Sequence, residues 1–359
     1  MAEPGTPVQR TEGVAAVPSP PTVAPGDDGL AERVTVVLLT YNCAHRLGRV
    51  LDELTALGVP VVAVDNASAD GTVDVLRARP GLEVVPLPEN IGAAARNAGA
   101  ERAATPYLAF CDDDGWYDRD GLVVAADLLD RHPRLALVNA RILIRDEARV
   151  DPISTIMSRS PLADTAGIPG AVLLSFMAGA SVVRRSAYLE AGGYEPVFFM
   201  GGEEETLSFK WARTGWHMRY VPEVVMRHHP SVANAPRMRA FGMRNTLWNA
   251  WLHRRFRSAA AWTLFILADS PKNRDWWRGV AMAVRGLPWV LRRRSPMDRA
   301  LDAQLSVLDR DRFAQRRPLF NRIDPLHRRS GGSPAAAPPA PPAAAPAAAA
   351  DDPAENPAA

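Results

Sequence analysis

The sequence predicts an α/β fold with a mostly parallel sheet flanked by helices, followed by a C-terminal helical region. Between residues 32 and 235, short apolar strands alternate with helical segments, which is the rhythm of a parallel sheet. Between residues 236 and 329, the pattern is helical, with Trp and Arg interleaved. Segments 1–31 and 330–359 are rich in Pro and Ala, and we expect both to be disordered tails because they can bury little apolar surface.

Four strands are predicted in the first region, at 34–39, 61–64, 82–87 and 107–111, each rich in Val, Leu or other apolar residues. Helical segments follow them near 47–54, 73–76, 93–103 and 121–130. A fifth strand is predicted at 221–226. Because ligands of such sheets bind beyond the carboxyl ends of the strands, the residues that follow each strand are the candidate site.

Composition excludes several classes of protein. The 359 residues are 47% hydrophobic and 23% charged, an ordinary globular balance. The two cysteines, Cys43 and Cys111, cannot form a disulfide framework or a four-thiolate zinc site. The longest uncharged apolar run, 259–268, is about half the length of a membrane span. No secretion signal is recognisable at the start of the chain, so we expect a cytoplasmic protein.

Common catalytic motifs of α/β proteins are also missing from the sequence. There is no Gly-x-Gly-x-x-Gly dinucleotide fingerprint and no phosphate loop that ends in Gly-Lys-Ser/Thr. There is no His-Glu-x-x-His zinc pair and no Gly-x-Ser-x-Gly nucleophile elbow. These absences argue against the corresponding dehydrogenases, NTPases, zinc proteases and serine hydrolases.

Polar residues follow three of the predicted strands. Thr40, Tyr41 and Asn42 follow the first, Asp65 ends the second, and residues 112–114, all aspartates, follow the fourth. Three adjacent carboxylates repel one another and are usually offset by a cation. Oxygen ligands of this kind suit Mg²⁺ or Mn²⁺, which one or two carboxylates and substrate phosphates commonly hold. The alternative interpretation is an acidic turn that leads into the helix at 121–130.

A second acidic cluster, Glu203, Glu204 and Glu205, begins a predicted helix. Acidic residues there commonly serve only to complement the helix dipole. Beside a substrate cleft, however, such a carboxylate can act as a general base. Downstream, His228 and His229 end the fifth strand, and adjacent residues of a strand point to opposite faces, so at most one of them can face the site and ligate a metal.

Five motifs in this order resemble those of the glycosyltransferase family 2 enzymes, which have a GT-A fold. They are residues 34–42; residues 64–68 with 70–72; Asn90, Gly92, Arg96, Asn97 and Gly99; the Asp-x-Asp-like residues 112–114; and residues 177–180 with 192–194 and 203–204. The resemblance covers about 34–232. It implies transfer of a sugar from a nucleotide-diphosphate donor with inversion at the anomeric carbon.

The resemblance also implies roles for individual residues. Tyr41 and Asp65 would contact the base, with Thr40, Asn42, Asn90 and Arg96 in the same nucleotide-sugar site, and Asp112 or Asp113 would hold the ribose. Asp114 would bind a divalent ion, Mg²⁺ or Mn²⁺, together with His228 or His229. Glu204 would be the catalytic base. The family more often has Glu-Asp at this position, so Glu203 and Glu205 remain alternatives.

The C-terminal region 236–329 is strongly basic, with 21 Arg and Lys against 7 Asp, a net charge of +14. One interpretation is a helical cap that packs on the catalytic domain and exposes its arginines to solvent. The other is a surface that meets anionic lipid, because amphipathic helices with Trp and Arg lie at the level of the headgroups. We expect no nucleic-acid partner, since no nucleic-acid-binding motif accompanies the charge.

The sequence therefore favours an inverting, metal-assisted glycosyltransferase that acts on a cell-envelope glycan or a lipid-linked acceptor. The alternative is a sugar-nucleotide-binding or glycan-binding protein that kept the fold without catalysis. A third, weaker hypothesis is a nucleotidyltransferase, which would release pyrophosphate instead of a nucleoside diphosphate.

Overall fold

The predicted N-terminal strands form the parallel half of one mixed sheet in the computed structural model, which describes residues 28–230 and 235–314. The predicted tails lie outside these residues, except for 28–31. In order along the sheet, the parallel strands are β3 (Leu82–Pro86), β2 (Val61–Asp65), β1 (Val34–Thr40) and β4 (Tyr107–Asp112). The parallel α/β prediction is confirmed for this half, and it aligns the carboxyl ends of four strands at one edge.

The other half of the sheet mixes strand directions. It contains β5 (Gly115–Tyr117), β6 (Leu135–Ile144), β9 (Ala180–Arg184) and β10 (His217–His228), with the short strands β7 (Arg149–Val150) and β8 (Ala171–Val172) paired to β6 and β10. The sheet continues from β4 through β9, β6 and β10 to β5. β9 is antiparallel to both of its neighbours, and β10 is parallel to β6 but antiparallel to β5. This last pairing returns the end of β10 to the residues that follow β4.

Helices cover both faces of the sheet. They are α1 (Leu30–Arg33), α2 (Leu47–Ala56), α3 (Thr72–Arg77), α4 (Arg96–Arg102), α5 (Arg119–Arg131), α6 (Pro152–Ser158), α7 (Arg185–Glu190) and α8 (Glu203–Arg213). A 3₁₀ turn, Gly92–Ala95, leads into α4, and another, Pro196–Phe198, precedes α8. The domain boundaries stay predictions, and α1 begins two residues before the boundary predicted at residue 32.

Strand β1 shows how one sequence serves two cores. Its side chains alternate between the faces of the sheet, as the period of a β-strand requires. Val36 and Leu38 join one core with residues of α2 and α5, whereas Val37 joins the other with residues of α4 and α8. Both cysteines are buried and free. Burial of β1 on both faces explains its continuous apolar run at residues 36–39.

Five helices follow the sheet: α9 (Ala235–His253), α10 (Phe256–Asp269), α11 (Arg274–Arg285), α12 (Leu287–Arg293) and α13 (Arg299–Ala314). The apolar side chains of α9, including Leu247 and Trp248, form a third core with residues of α10, α11 and α12 and with Phe198, which precedes α8. Leu247, Trp248 and Leu252 of α9 are therefore buried, whereas Trp251 is only partly buried. No helix in the described ranges combines the length and the apolar character that a bilayer crossing needs.

Candidate active site

Asp65 is held rigidly between the ends of β1 and β2. The strand register places Thr40 beside Asp65. The Thr40 hydroxyl donates to Asp65 Oδ1 at 3.1 Å, and Ser68 donates its backbone N–H and its hydroxyl to the same carboxylate at 2.8 and 2.6 Å. Thr40 and Asp65 are both buried. The structure thus brings two of the predicted nucleotide-contacting residues together and orients the carboxylate in advance.

Tyr41 and Asn42 lie immediately beyond β1, and both are exposed. Asn42 has a positive φ of 48° and is tied to the loop after β2: its N–H donates to Ser68 Oγ at 2.8 Å, and its side-chain oxygen accepts from Ala69 N–H at 2.8 Å. These bonds anchor the loop from which Tyr41 projects. The exposed Tyr41 ring, which belongs to the residue after Thr40, is suited to a flat, polar-edged ligand such as a nucleobase.

The loop before α4 is tied to the end of β2 by Asn66, which the sequence reasoning missed. Asn66 Nδ2 donates to Gly92 O at 3.0 Å, and Ile91 N–H donates to Asn66 Oδ1 at 2.9 Å. The predicted site residue Asn90 accepts from Gly92 N–H at 2.9 Å and so shapes the same turn. The position of Asn66 directly after a buried strand was a signal that could have identified it.

The three aspartates after β4 each meet a different cationic side chain. The pairs are Asp112 with Arg96, Asp113 with Arg46, and Asp114 with His228. The repulsion expected among adjacent carboxylates is therefore offset within the protein. Of these partners, Arg46 was missed, and no sequence pattern connects it with Asp113.

Asp112 lies between the donor-side residues and the second acidic cluster. It forms an ion pair with the buried Arg96. Burial disfavours the charged guanidinium, but Asp112 together with Tyr194, Glu203 and Tyr188 outweighs burial and raises the pKa of Arg96, so the arginine stays protonated. Gly179 packs against Asp112, where a Cβ would lie 2.2 Å from Asp112 Oδ2. The segment at 177–180 therefore closes over this aspartate.

Asp113 is bound by Arg46, whose Nη2 lies 2.7 and 2.8 Å from the two carboxylate oxygens. Burial raises the pKa of Asp113, while Arg46 opposes that rise. Arg46 directly precedes α2, so the loop after β1 supplies this cation. The pair joins the ends of β1 and β4.

His228 and His229 face different surroundings. His228 Nε2 lies 3.4 Å from Asp114 Oδ1, whereas the ring of His229 stacks on Trp116 and its Nε2 lies 3.8 Å from Asp146. Burial disfavours the protonated imidazole, but the hydrogen bond and charge of Asp114 outweigh it and raise the pKa of His228. Of the two imidazole rings, therefore, that of His228 faces the Asp114 carboxylate.

Asp114 and His228 fit the chemistry of a divalent-ion site with few protein ligands. Within residues 28–230 and 235–314, no group of three or more His, Cys, Asp and Glu side chains could enclose a metal. Mg²⁺ and Mn²⁺ do not require such a group when substrate phosphates complete the coordination. A carboxylate oxygen and an imidazole nitrogen at one point provide the protein share of such a site.

The second acidic cluster forms the first turn of α8. Glu203 is only 3% exposed, and burial, followed by the charge of Glu204, raises its pKa well above the usual range, while Arg96 acts in the opposite direction. Glu204 is partly buried, accepts from Gly202 N–H at 3.1 Å, and has a pKa raised by burial. The structure thus brings two of the predicted glutamates near the charge of Arg96, across from Asp112.

Helix α9 holds the loop that precedes these glutamates. Asn245 Nδ2 donates to the carbonyl oxygens of Phe198 and Met200 at 2.9 and 3.0 Å and also contacts that of Gly201. Asn249 Nδ2 donates to Gly202 O at 2.7 Å and to Glu205 Oε2 at 3.2 Å. Sequence reasoning missed both asparagines. Asn249 follows Trp248 in a segment whose apolar residues predict helix packing, and no sequence pattern connects Asn245 with the loop before α8.

The same loop is held from its other side by the turn before α4. Ala93 N–H donates to Phe199 O at 2.7 Å, and a Cβ on Gly92 would lie 1.8 Å from that oxygen. Only glycine allows this approach, and Gly92 also has a positive φ of 67°. The position of Glu203 and Glu204 therefore depends on both the donor-side turn and the C-terminal helices.

Comparison with known proteins identifies the family of the first region. Residues 35–191 match the model of the family described as Glycosyl transferase family 2. This chain contains a family 2 glycosyltransferase domain. The family 2 match includes the aspartates after β4, whereas the glutamates of α8 and His228 lie beyond its end.

Curated relatives of this family 2 domain include two glycosyltransferases of Mycobacterium tuberculosis (strain H37Rv). The chain is 30% identical over 205 residues to the pre-mycofactocin glycosyltransferase of this organism. The aligned segment covers 54% of this chain and 42% of the relative. The chain is 25% identical over 332 residues to the N-acetylglucosaminyl-diphospho-decaprenol L-rhamnosyltransferase of the same organism, covering 81% of this chain and 98% of the relative. The chain thus spans about two-fifths of the first of these relatives.

Solved structures confirm the GT-A fold of the family 2 domain and its neighbouring elements. The S. aureus TarS 1-349 structure matches with a TM-score of 0.52 and 15% identity over 72% of this chain and 81% of that one. GalNAc-T7 with UDP, GalNAc and Mn²⁺ matches with a TM-score of 0.52 and 12% identity over 72% of this chain and 58% of that one. At these identities the likeness concerns the fold alone.

Proposed function

We propose that this glycosyltransferase moves a sugar from a nucleotide-diphosphate donor to a hydroxyl group of a cell-envelope glycan or a lipid-linked acceptor, with inversion at the anomeric carbon. The observation that carries the proposal is the position of Arg96. Its guanidinium pairs with Asp112 on the donor side, and its charge acts on Glu203 and Glu204 on the other side. One cation thus links a nucleotide-binding edge to a pair of carboxylates with raised pKa values.

In the proposed reaction, the acceptor oxygen attacks the anomeric carbon from the face opposite the diphosphate. The new C–O bond forms as the bond to the leaving diphosphate breaks, and Glu204 takes the proton of the acceptor hydroxyl. Glu204 is favoured over Glu203 because it is the less buried of the two and so can reach an acceptor. Its raised pKa brings its basicity closer to that needed for proton transfer.

Asp65 and the exposed ring of Tyr41 would bind the base, while Thr40, Asn42 and Asn90 keep the surrounding loops in place. Asp112 or Asp113 would hold the ribose, and Asp114 with His228 would hold Mg²⁺ or Mn²⁺ against the diphosphate. When bound, such an ion supplies positive charge that stabilises the leaving group. The Mn²⁺ in the GalNAc-T7 complex supports this choice of metal.

The acceptor class is proposed from the relatives. The relative that this chain matches over 98% of its length is named an N-acetylglucosaminyl-diphospho-decaprenol L-rhamnosyltransferase, so its acceptor is linked to a lipid. An acceptor of that class would place the enzyme at the surface of a membrane. We propose the same peripheral location for this chain.

The test is a panel of UDP-, dTDP- and GDP-sugars incubated with the full chain, Mn²⁺ and candidate lipid-linked acceptors, with release of nucleoside diphosphate as the measured quantity. Acceptor-dependent release from one donor is the expected result. Donor binding without release from any acceptor would favour a non-catalytic binding protein. Release of pyrophosphate instead would favour a nucleotidyltransferase, and either of these results would overturn the proposal.

A further inference from the structure

Helices α11 and α12 carry an apolar residue followed by an arginine at three positions that are seven residues apart. Seven residues correspond to about two helical turns, so these positions lie on one side of a helix. Only Gly286 separates the two helices, and its φ of −84° and ψ of −3° keep the backbone close to helical. The pairs are Trp277 with Arg278, Val284 with Arg285, and Leu291 with Arg292.

All six side chains of this apolar–arginine stripe are exposed. The exposed fractions of Trp277, Val284 and Leu291 are 63%, 64% and 53%. Together with Phe256, Leu264 and Leu287, they make up half of the large exposed hydrophobic residues found in the described part of the chain. Apolar exposure is thus concentrated in the C-terminal helices, and such concentrations commonly mark contact surfaces.

The stripe is not needed to attach these helices to the rest of the protein. Attachment uses the opposite side: Gly279, Ala283 and Val290 are buried against α9 and its neighbours. A Cβ on Gly279 would lie 2.6 Å from the Cβ of Met243, and Trp248 Nε1 donates to Ala283 O at 3.0 Å. The helices are therefore held firmly with the stripe facing outward.

The arginines of the stripe have no carboxylate partner within residues 28–230 and 235–314. Two exposed arginines of the first region differ in this respect: Arg49 pairs with Asp146, and Arg102 pairs with Glu83. α11 has a single acidic residue, in its first turn, and α12 has none. The stripe consequently presents uncompensated positive charge beside each apolar side chain.

We propose that this stripe is a docking surface for an anionic phospholipid bilayer. Trp277, Val284 and Leu291 enter the boundary between headgroups and acyl chains, and the adjacent guanidinium groups bind lipid phosphates. A polynucleotide would match the charge, but Val284 and Leu291 offer its bases no stacking surface. The functional role of this docking surface rests on the proposed transfer to a lipid-linked acceptor. The test of membrane binding, however, requires no enzymatic turnover.

The experiment is co-sedimentation of the full chain with vesicles of phosphatidylcholine, with and without phosphatidylglycerol. We expect binding only to the phosphatidylglycerol vesicles, and less of it at high salt. A variant with R278Q, R285Q and R292Q should bind about a hundredfold more weakly. A variant with W277S, V284S and L291S should also lose binding. The control, with R102Q, R131Q and R159Q, has the same change in net charge and should bind like the unmodified chain.

The proposal would be overturned if the arginine variant of the stripe and the arginine control bound the vesicles equally well. It would also be overturned if the parent bound both kinds of vesicle equally well. If the parent bound a polynucleotide but no vesicles, and the arginine variant of the stripe lost that binding, the stripe would be assigned to a nucleic acid. That result would also overturn the proposal. If the parent self-associated but did not bind vesicles, and the stripe variants lost self-association, the stripe would be assigned to contact with a second copy of the chain. The proposal would again be overturned. An unchanged melting temperature and an unchanged thermal response to nucleoside diphosphates in the stripe variants would separate a docking failure from a failure of the fold or of the proposed function.

Discussion

His228 Nε2 lies 3.4 Å from Asp114 Oδ1, and the register of two antiparallel strands brings these distant residues together. β10 pairs with β5 so that His228 is opposite Gly115, the residue after Asp114. The next residue, His229, donates its backbone N–H to Asp114 O at 2.7 Å while its ring turns to Trp116. The backbone thus fixes both ends of the contact, and only one of the two histidines faces the aspartate.

Asp114→Asn and His228→Gln should each weaken the binding of Mn²⁺ in the presence of a nucleoside diphosphate by about tenfold or more, because each removes one of the two protein ligands that we propose for the ion. Isothermal titration of Mn²⁺ into the protein with bound UDP or GDP measures this affinity. His229→Gln is the matched control, since its ring lies against Trp116. An equal loss of affinity in His229→Gln would contradict the assignment of His228.

Glu204→Gln should lower kcat by about 10²- to 10⁴-fold, because an amide cannot accept the proton of the acceptor hydroxyl. Donor affinity should stay unchanged, since in the proposed reaction Glu204 acts on the acceptor. The rate of nucleoside diphosphate release and the thermal stabilisation by the donor nucleotide measure the two effects separately.

Glu205→Gln is the control for this prediction. Glu205 has the same side chain as Glu204, but its carboxylate accepts a hydrogen bond from Asn249. It should retain most of the activity. If Glu204→Gln kept normal turnover and Glu203→Gln lost it, the base would be Glu203, and the argument from accessibility would be wrong.

The parallel half of the sheet could be predicted from sequence because each of its strands is a short apolar run followed by a helical segment. β6 and β9 could not, although both are buried. The insertion of β9 between β4 and β6, antiparallel to both, depends on strand pairing across long loops, and hydrophobic period does not report a pairing partner.

The site divides in the same way. Asp65 and Asp112 were predictable because polar residues that end buried strands collect at one edge of a parallel sheet. The ion-pair partner of the neighbouring Asp113 was harder to predict from sequence, because Arg46 meets Asp113 only through the turn before α2. Asn245 was hidden for a related reason: its role depends on how α9 packs against the loop before α8.

Glu203→Gln should stabilise the protein at neutral pH. The raised pKa of Glu203 means that the folded state holds the proton more tightly than the unfolded state does. Stability from this group is therefore complete below the ordinary glutamate value of 4.5 and is lost as pH rises toward the folded pKa. The neutral amide avoids this loss. The melting temperature of the variant should match that of the parent near pH 4 and exceed it at pH 8, and a gain equal at both pH values would contradict the shift.

Gly92→Ala should destabilise the protein much more than Gly58→Ala. Both glycines have nearly the same positive φ, 67° and 66°, so both variants incur about 1–2 kcal/mol of backbone strain. Gly58 has open space around its Cα, whereas a Cβ on Gly92 would lie 1.8 Å from Phe199 O. Chemical denaturation of the two variants measures the difference in unfolding free energy. Equal losses would show that the loop before α8 does not approach the turn as closely as described.

Asn245→Ala should lower kcat while leaving donor affinity unchanged, because it releases the loop that carries Glu203 and Glu204 but does not touch the donor edge. Three backbone carbonyl groups lose their contact with the amide, at a cost of about 1–3 kcal/mol in unfolding free energy. Steady-state kinetics with a saturating acceptor and nucleotide titration measure the two quantities.

Asn273→Ala separates a positioning effect of Asn245 from simple destabilisation. Asn273 caps α11 by accepting from Trp276 N–H at 2.9 Å, far along the chain from the acidic loop. Its removal should cost about 1 kcal/mol and leave kcat unchanged. Asn245→Gln keeps the amide group and should recover part of the activity. If the two alanine variants lost kcat in proportion to their loss of stability, α9 would act only by supporting the fold, because a positioning role requires a loss of turnover that stability does not explain.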